Sequence, residues 1–415
     1  MTHDTLPSSS PRSHTALGVC VLLFLLMLPV TAMVPVLSAL TVERHPHIGD
    51  FARHLFMSAN MLGALLAAPL AGWCSDRMGR RTPLILVALA VNALALWQIA
   101  GDHAYPLLLA LRFVEGCAHI TALSLLITLG ADHARHGRLG GTMGGVGAAI
   151  SLGVAIGAPV GGWLGAHDAQ AVPLAGAVLS ATLCVMAAFV LRDMPALPAT
   201  ARRSPLTAIK NTRALAVPWL FAFTDRLTVG FIVSTFSLYL AGVMHFGPAQ
   251  IGLTMAVFLL PFSLLTWPAG LLCQRVDSFA MMLAGSALYG IFLIALAGAG
   301  NDTLLPLMAA GGIVAALMYA PSLVLTATLA PPGARALALA GFNIAGSAGF
   351  ALGPLLAGAM VGTLRAVGVD PYTPTFIFFG LCEIVLVIAL LPWWRRWRRT
   401  SRPGMLEAPS TRTAP

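Results

Sequence analysis

Apolar stretches of roughly 20 residues, each closed by a short polar break, recur along this chain from one end to the other. A helix needs about 20 mostly apolar residues to cross the hydrocarbon core of a bilayer, so each stretch predicts one membrane span. Twelve are predicted, near residues 16-40, 54-74, 83-100, 104-131, 141-166, 170-191, 216-244, 249-272, 279-299, 303-329, 336-363 and 374-393. Gly and Pro inside them do not argue against helices, because neighbouring membrane helices satisfy the backbone groups that such residues free. Residues 1-15 are polar and lack a basic n-region, and the apolar run after them is too long for a signal-peptide core; a retained first helix is expected.

Composition agrees with the pattern. Hydrophobic residues make up 58% and charged residues 9%, with a mean hydropathy of +0.85, whereas soluble domains carry about 25% charged residues. The net charge of +9 is read through its distribution. With both termini inside, nineteen of the 24 Lys and Arg residues fall in inner loops or tails, Arg44, Arg53 and Arg365 fall outside, and Arg112 and Arg226 lie within helices. That asymmetry is the positive-inside signature of a plasma-membrane protein, with a bacterial inner membrane the expected setting and both termini cytoplasmic. Basic residues scattered over short loops argue against a nucleic-acid partner. The run Arg395, Arg396, Arg398 and Arg399 is expected to meet anionic headgroups of membrane lipids.

The longest inner break, Arg192 to Leu215, divides the chain. The expected organisation is a tail (1-15), a six-helix bundle (16-191), a linker (192-215), a second six-helix bundle (216-393) and a basic cytoplasmic tail (394-415). The halves read as repeats. Gly72, Asp76, Arg77 and Gly79 have an eroded counterpart 198 residues on, at Gly270, Gln274, Arg275 and Asp277. Gly153, Gly157 and Pro159 through Gly161 and Gly162 are matched 196 residues on by Gly349, Gly353, Pro354 and Gly358.

On these motifs the chain resembles the major facilitator superfamily over essentially residues 16-393. Gly72, Asp76, Arg77, Gly79, Arg80 and Arg81 resemble the signature loop between helices 2 and 3 of that family, and Arg112, Glu115 and Gly116 its helix 4 motif. The helix 5 glycines resemble the family's antiporter motif with a departure, since Ala158 takes the usual proline place and the proline moves to Pro159. The resemblance implies an all-α membrane protein of twelve transmembrane helices in two pseudo-symmetric six-helix bundles. It also implies that helices 1, 4, 7 and 10 line a central cavity.

Physical roles can be given to the same residues. Asp76 can accept hydrogen bonds from a helix N-terminus and Arg77, Arg80 and Arg81 can pair with acidic groups, which makes the segment a conformational latch; the alternative is that these arginines only fix topology. The glycines of helices 5 and 11 allow close backbone approach, a packing role. Ionisable groups at membrane depth are costly and usually face a cavity. At 100° per residue, Glu115 lies about 60° and His119 about 20° from Arg112, so the three share one face. Glu115 is the first proton-coupling candidate, with Asp225, Arg112 and His119 beside it; a static Arg112–Glu115 pair is the structural alternative. Asp225 and Arg226 leave helix 7 about 100° apart and cannot serve one cavity equally. Glu383, on a helix peripheral in the resembled family, reads as structural or interfacial. Arg226, Thr31, Met33, Tyr319 and Ser322 are the substrate-cavity candidates.

Enzymatic readings find no support. The six cysteines are isolated, with no C-x-x-C pair for a metal or a disulfide framework, and Lys210 is not part of a phosphate-binding loop. No cofactor is expected. The reading is a secondary transporter that rocks two bundles around a midplane site, most simply a proton-coupled exporter of a small organic or amphipathic compound working as a monomer. The alternatives are proton-coupled uptake of a metabolite, in which Arg226 or Arg112 holds a substrate carboxylate, and a non-transporting sensor.

Overall fold

The computed structural model describes residues 11–132, 139–193, 213–330 and 335–401, and every regular element among them is helical. In chain order α1 is Pro11–Ala32, α2 Asp50–Met78, α3 Thr82–Ala100, α4 Tyr105–Asp132, α5 Leu139–Gly165 and α6 Ala171–Val190. The second set is α7 Ala216–Gly242, α8 Pro248–Leu272, α9 Ser278–Leu296, α10 Asn301–Leu329, α11 Arg335–Ala366 and α12 Tyr372–Ser401. Eleven of these are long and apolar enough to cross a membrane, and α1 supplies a shorter apolar stretch, Leu17–Ala32. Each predicted stretch coincides with one helix, as expected where only intrahelical bonds can satisfy a backbone in lipid.

Three boundaries differ from expectation. The first helix was predicted to residue 40, yet α1 stops at Ala32, and Met33–Val36 form a turn before a short π-helical segment, Ala39–Glu43. Pro35 lacks an N–H and its ring crowds the carbonyl four residues back, which breaks the ladder there. At the turn, Val34 donates to the Thr31 carbonyl at 3.1 Å. The Gly72 to Arg81 segment is mostly helix rather than turn, because α2 continues to Met78 and only Gly79 adopts the left-handed conformation (φ 65°) that closes it. Finally, α12 continues through the basic run to Ser401.

Helix pairing repeats between the halves. In the first, α1 packs on α5, α2 on α4, and α3 on α4 and α6; in the second, α7 packs on α11, α8 on α10, and α9 on α10 and α12. The repeat extends to single residues. A Cβ on Gly153 would meet the Phe24 carbonyl oxygen at 2.4 Å, and one on Gly349 the Phe223 oxygen at 2.0 Å. Gly157 and Gly353 face the carbonyls of Leu28 and Leu227 in the same way. Both partners move by 199 residues, so the glycine motifs of α5 and α11 are the seams on which α1 and α7 lie.

The halves meet through α2 on α11 and α5 on α8. The close contacts gather at the end opposite the chain termini. There Gly162 lies against Pro248 and Gly252, Gly358 against the ring of His54, and Arg365 Nη1 pairs with Asp50 Oδ1 at 2.7 Å. Ser237 Oγ of α7 donates to the Val34 carbonyl in the α1 break at 2.7 Å. At the other end, a Cβ on Gly72, Gly147 or Gly270 would meet nothing within 4 Å.

Candidate functional site

In the first half the polar centre lies between α2 and α4. Arg112 Nη1 donates to Glu115 Oε2 at 2.9 Å, and Asn60 of α2 donates to the same carboxylate oxygen. The Arg112 guanidinium lies over the Phe56 ring, 4.8 Å from its centroid, with Met57 Sδ at 3.9 Å. This is possible because Gly116 lets α4 press onto the Asn60 backbone, closer than any Cβ would allow. Arg112 and Glu115 are 4% and 3% exposed, so the pair is sealed in the helix interface. His119 is buried about two turns beyond Arg112. The shared face read from sequence is present; Asn60, its third partner, was missed, although a lone amide in an apolar helix was the available signal. Of the α1 candidates, Thr31 donates to the Val154 carbonyl at 2.8 Å and Met33 is fully packed in the break, so both serve the seams of α1.

In the second half, Asp225 and Arg226 separate as their spacing requires. Arg226 turns to α10 and α11. Its Nη2 donates to Tyr319 Oη at 3.2 Å, its guanidinium lies 5.2 Å from the Tyr319 ring centroid, and its Cγ is 3.1 Å from where Gly346 would carry a Cβ. Tyr319 is flanked by Phe262 of α8 and Phe342 of α11, at 5.7 and 6.3 Å between centroids. Ser322, one turn along α10, is buried and donates to the Tyr319 carbonyl at 2.7 Å.

Asp225 is 6% exposed, and its carbonyl accepts at 2.7 Å from the Thr228 hydroxyl that also reaches Glu383 of α12. Glu383 is fully buried, accepts a hydrogen bond from Ser286 of α9, and has the Thr228 hydroxyl of α7 at 3.3 Å. Among the described residues, Tyr289 Oη is buried with no hydrogen-bond partner at normal geometry. Among the described residues no Lys, Arg or His nitrogen lies within 4.0 Å of either carboxylate, in contrast to Glu115. Glu383, read from sequence as peripheral, therefore stands at the junction of three helices with Asp225. Asn92 of α3 and Ser180 of α6, bonded at 2.8 Å, are the uncharged counterpart in the first half.

The latch segment binds its own half. Arg81 Nε donates to Asp132 Oδ2 at the end of α4 at 2.6 Å, and Asp193, just past α6, accepts from the Arg81 and Thr82 amides at 2.9 Å. Arg77 lies over the Trp73 ring at 5.4 Å, and Arg80 is exposed. The Asp76 side chain lies outside the described residues. Asp277 repeats the capping role in the second half, accepting from the Phe279 amide at 3.0 Å.

The Major Facilitator Superfamily model matches residues 19–244 and 218–413. The chain belongs to the major facilitator superfamily. Among curated proteins, none matches its sequence. Of solved structures, the nucleoside transporter NupG is similar at 16% identity and a TM-score of 0.75, over 92% of this chain and 99% of that one. A bacterial homolog of the human lysosomal transporter Spinster, inward-facing and unoccupied, is similar at 13% identity and a TM-score of 0.77, over 95% and 98%. The D-xylose-proton symporter follows at 16% and 0.74, over 93% and 98%. At such identities the likeness is one of fold. The major facilitator chain is thus an integral membrane transporter and not an enzyme, with a small molecule as its substrate.

Proposed function

We propose that this major facilitator protein is a proton-coupled secondary transporter that exports a small organic or amphipathic compound by alternating access. The bundles of residues 16-191 and 216-393 are the moving units, both termini are cytoplasmic, and the protein works as a monomer in a plasma membrane, a bacterial inner membrane. One observation carries the reading: among the described residues, the Asp50–Arg365 pair, the Gly162–Gly252 crossing and the Ser237–Val34 bond between the halves all lie at one end. With the basic loops inside, this is the inward-open state. Closing the open end in the other half of the cycle brings the Gly72 to Arg81 segment to the second bundle, which is when the latch engages.

Proton coupling rests on buried carboxylates. Glu115 has its charge matched by Arg112 and accepts from Asn60, which suits the pair to holding α4 against α2. The Glu383 carboxylate is held by the Thr228 and Ser286 hydroxyls, and neither it nor the buried Asp225 carboxylate has a cationic side chain within 4.0 Å among the described residues, so they are the pair we assign to the coupling ion. Export is assigned on the antiporter-like glycines of α5. One observation favours proton-coupled uptake instead: Arg226 has no carboxylate within 4.0 Å among the described residues and is suited to a substrate anion.

The test begins with a thermal-shift screen of the purified protein against compound pools at two pH values. Hits are then followed in proteoliposomes under an imposed pH gradient. Flux that ignores the gradient overturns proton coupling, and binding without any flux supports a sensor. Undiminished gradient-driven flux in Asp225→Asn and Glu383→Gln, with loss in Glu115→Gln, returns the coupling role to Glu115. Greater accumulation in expressing cells marks uptake; lower accumulation marks export.

A further inference from the structure

Arg226 and Arg112 are the two arginines in the interior of the membrane-spanning helices, and only Arg112 has a carboxylate within 4.0 Å among the described residues. Arg112 is matched by Glu115, Arg81 by Asp132, Arg44 by Asp102, and Arg53 and Arg365 by Asp50. Arg226 is partly buried and, among the described residues, its side chain hydrogen-bonds only to a neutral phenol. It precedes Ser237, at the closed end, by eleven residues, or about 16 Å of helix, which puts it near mid-membrane. A guanidinium has five N–H donors, and Tyr319 takes one. Of the other described acids of the second half, Glu383 is bonded to Ser286 and Thr228, Asp277 and Asp370 cap α9 and α12, and Asp302 lies in the first turn of α10; only Asp225, the preceding residue, acts on Arg226, and it is not within 4.0 Å of the guanidinium.

The surroundings define the missing partner further. Tyr319, Phe262 and Phe342, from α10, α8 and α11, form an aromatic wall beside the guanidinium, and Tyr319 and Phe262 remain partly exposed. Gly346 leaves the α11 side of Arg226 without a side chain. A planar cation edge beside aromatic faces fits a carboxylate carried on a flat apolar body, since the guanidinium binds carboxylates bidentately and the rings bury the rest.

We infer that Arg226 and Tyr319 form the substrate-recognition site and that the substrate is an aromatic or similarly flat organic carboxylate. This rests on the transporter reading but not on its direction. The test uses three probes of one shape and different charge: naphthoate, naphthamide and naphthylmethylammonium. Equilibrium binding to the purified full-length protein is expected for naphthoate, at least tenfold weaker for the other two, with naphthoate binding reduced about tenfold or more in Arg226→Gln. Arg226→Lys, which keeps the charge and guards against a folding defect, should retain part of the affinity, and Tyr319→Phe should lose about twofold to threefold. Equal binding of naphthamide, no naphthoate binding at any pH from 5 to 8, or full affinity in folded Arg226→Gln overturns the site. Arg226-dependent binding without flux in sealed proteoliposomes upholds the site and overturns the transporter reading instead.

Discussion

Asp50 and Arg365, separated by 315 residues in sequence, are joined at 2.7 Å across the closed end, and Arg53 donates to the same Asp50 oxygen at 3.2 Å. Asp50 begins α2 and Arg365 ends α11, so the pair ties one bundle to the other. Arg365 is partly solvated, which limits such a pair to about 1 kcal/mol. Asp50→Asn is therefore expected to shift the balance between inward-open and outward-open states by about fivefold toward the latter. Spin labels at the exposed positions Phe51 and Val367 would read the shift as a longer distance population; an unchanged distribution removes the pair from the closing mechanism.

The glycines of α5 divide into two functions. Gly157 faces the Leu28 carbonyl inside its own half, whereas Gly162 faces Pro248 in the other half. Gly157→Leu should lower the thermal midpoint of the folded protein, an overpacking cost of about 1–3 kcal/mol or more. Gly162→Leu should fold nearly normally and instead open the closed end, by the same spin-label distances. Equal loss of stability in both would show that the crossing of α5 and α8 does not separate during the cycle.

These two glycines also mark what could be read in advance. The helices were legible because length and apolarity alone specify a span, and the repeat was legible because Gly153, Gly157, Gly349 and Gly353 sit at seams where only glycine fits. The inward face of each helix was not. In lipid the outer face is as apolar as the core: Leu66 and Trp267 are 58% and 75% exposed, so no polar stripe marks the side that packs. Helix rotation then decides which polar groups meet. Hence the Asn60 bond to Glu115 and the Thr228 and Ser286 bonds to Glu383 could not be read from the sequence, while the divergence of Asp225 and Arg226 followed from their spacing alone.

The Arg112–Glu115 pair should behave as a sealed ion pair. Replacing one member leaves a buried charge unmatched, so Arg112→Met or Glu115→Gln alone is expected to cost about 3–5 kcal/mol, and the two together less than either. Thermal unfolding of the two single variants and the double variant gives the coupling energy. Additive losses would show that the two side chains act independently.

Asp370 caps α12 outside the membrane span. Its carboxylate accepts from the Tyr372 and Thr373 amides at 3.1 Å, and the Thr373 bonds are the main cause that holds its carboxyl below the usual 3.8. A lowered folded value means that the cap's ionic contribution is present above the ordinary carboxylate range and is lost as the pH falls through the folded one. Asp370→Ala should cost about 1 kcal/mol at pH 7, and the gap from the unaltered protein should narrow below about pH 4. Asp370→Asn, which caps without a charge, should lose this pH dependence.

Asp225 and Arg226 share a backbone bond but face different helices, and their adjacency makes a carboxylate bound at Arg226 sensitive to the charge on Asp225. A proton on Asp225 removes a negative charge near the anion, so naphthoate should bind more tightly as the pH falls from 8 to 5. By linkage, naphthoate binding should in turn draw a proton from solution. Asp225→Asn mimics the protonated form and is expected to bind at the tighter level across that range, with no proton uptake. Both effects can be read from titration calorimetry in buffers of different ionisation enthalpy. Mutual favour between anion and proton supports the uptake alternative, in which Arg226 holds a substrate anion, over export. Competition between them, with affinity rising as pH rises, would instead support exchange and keep export as the direction.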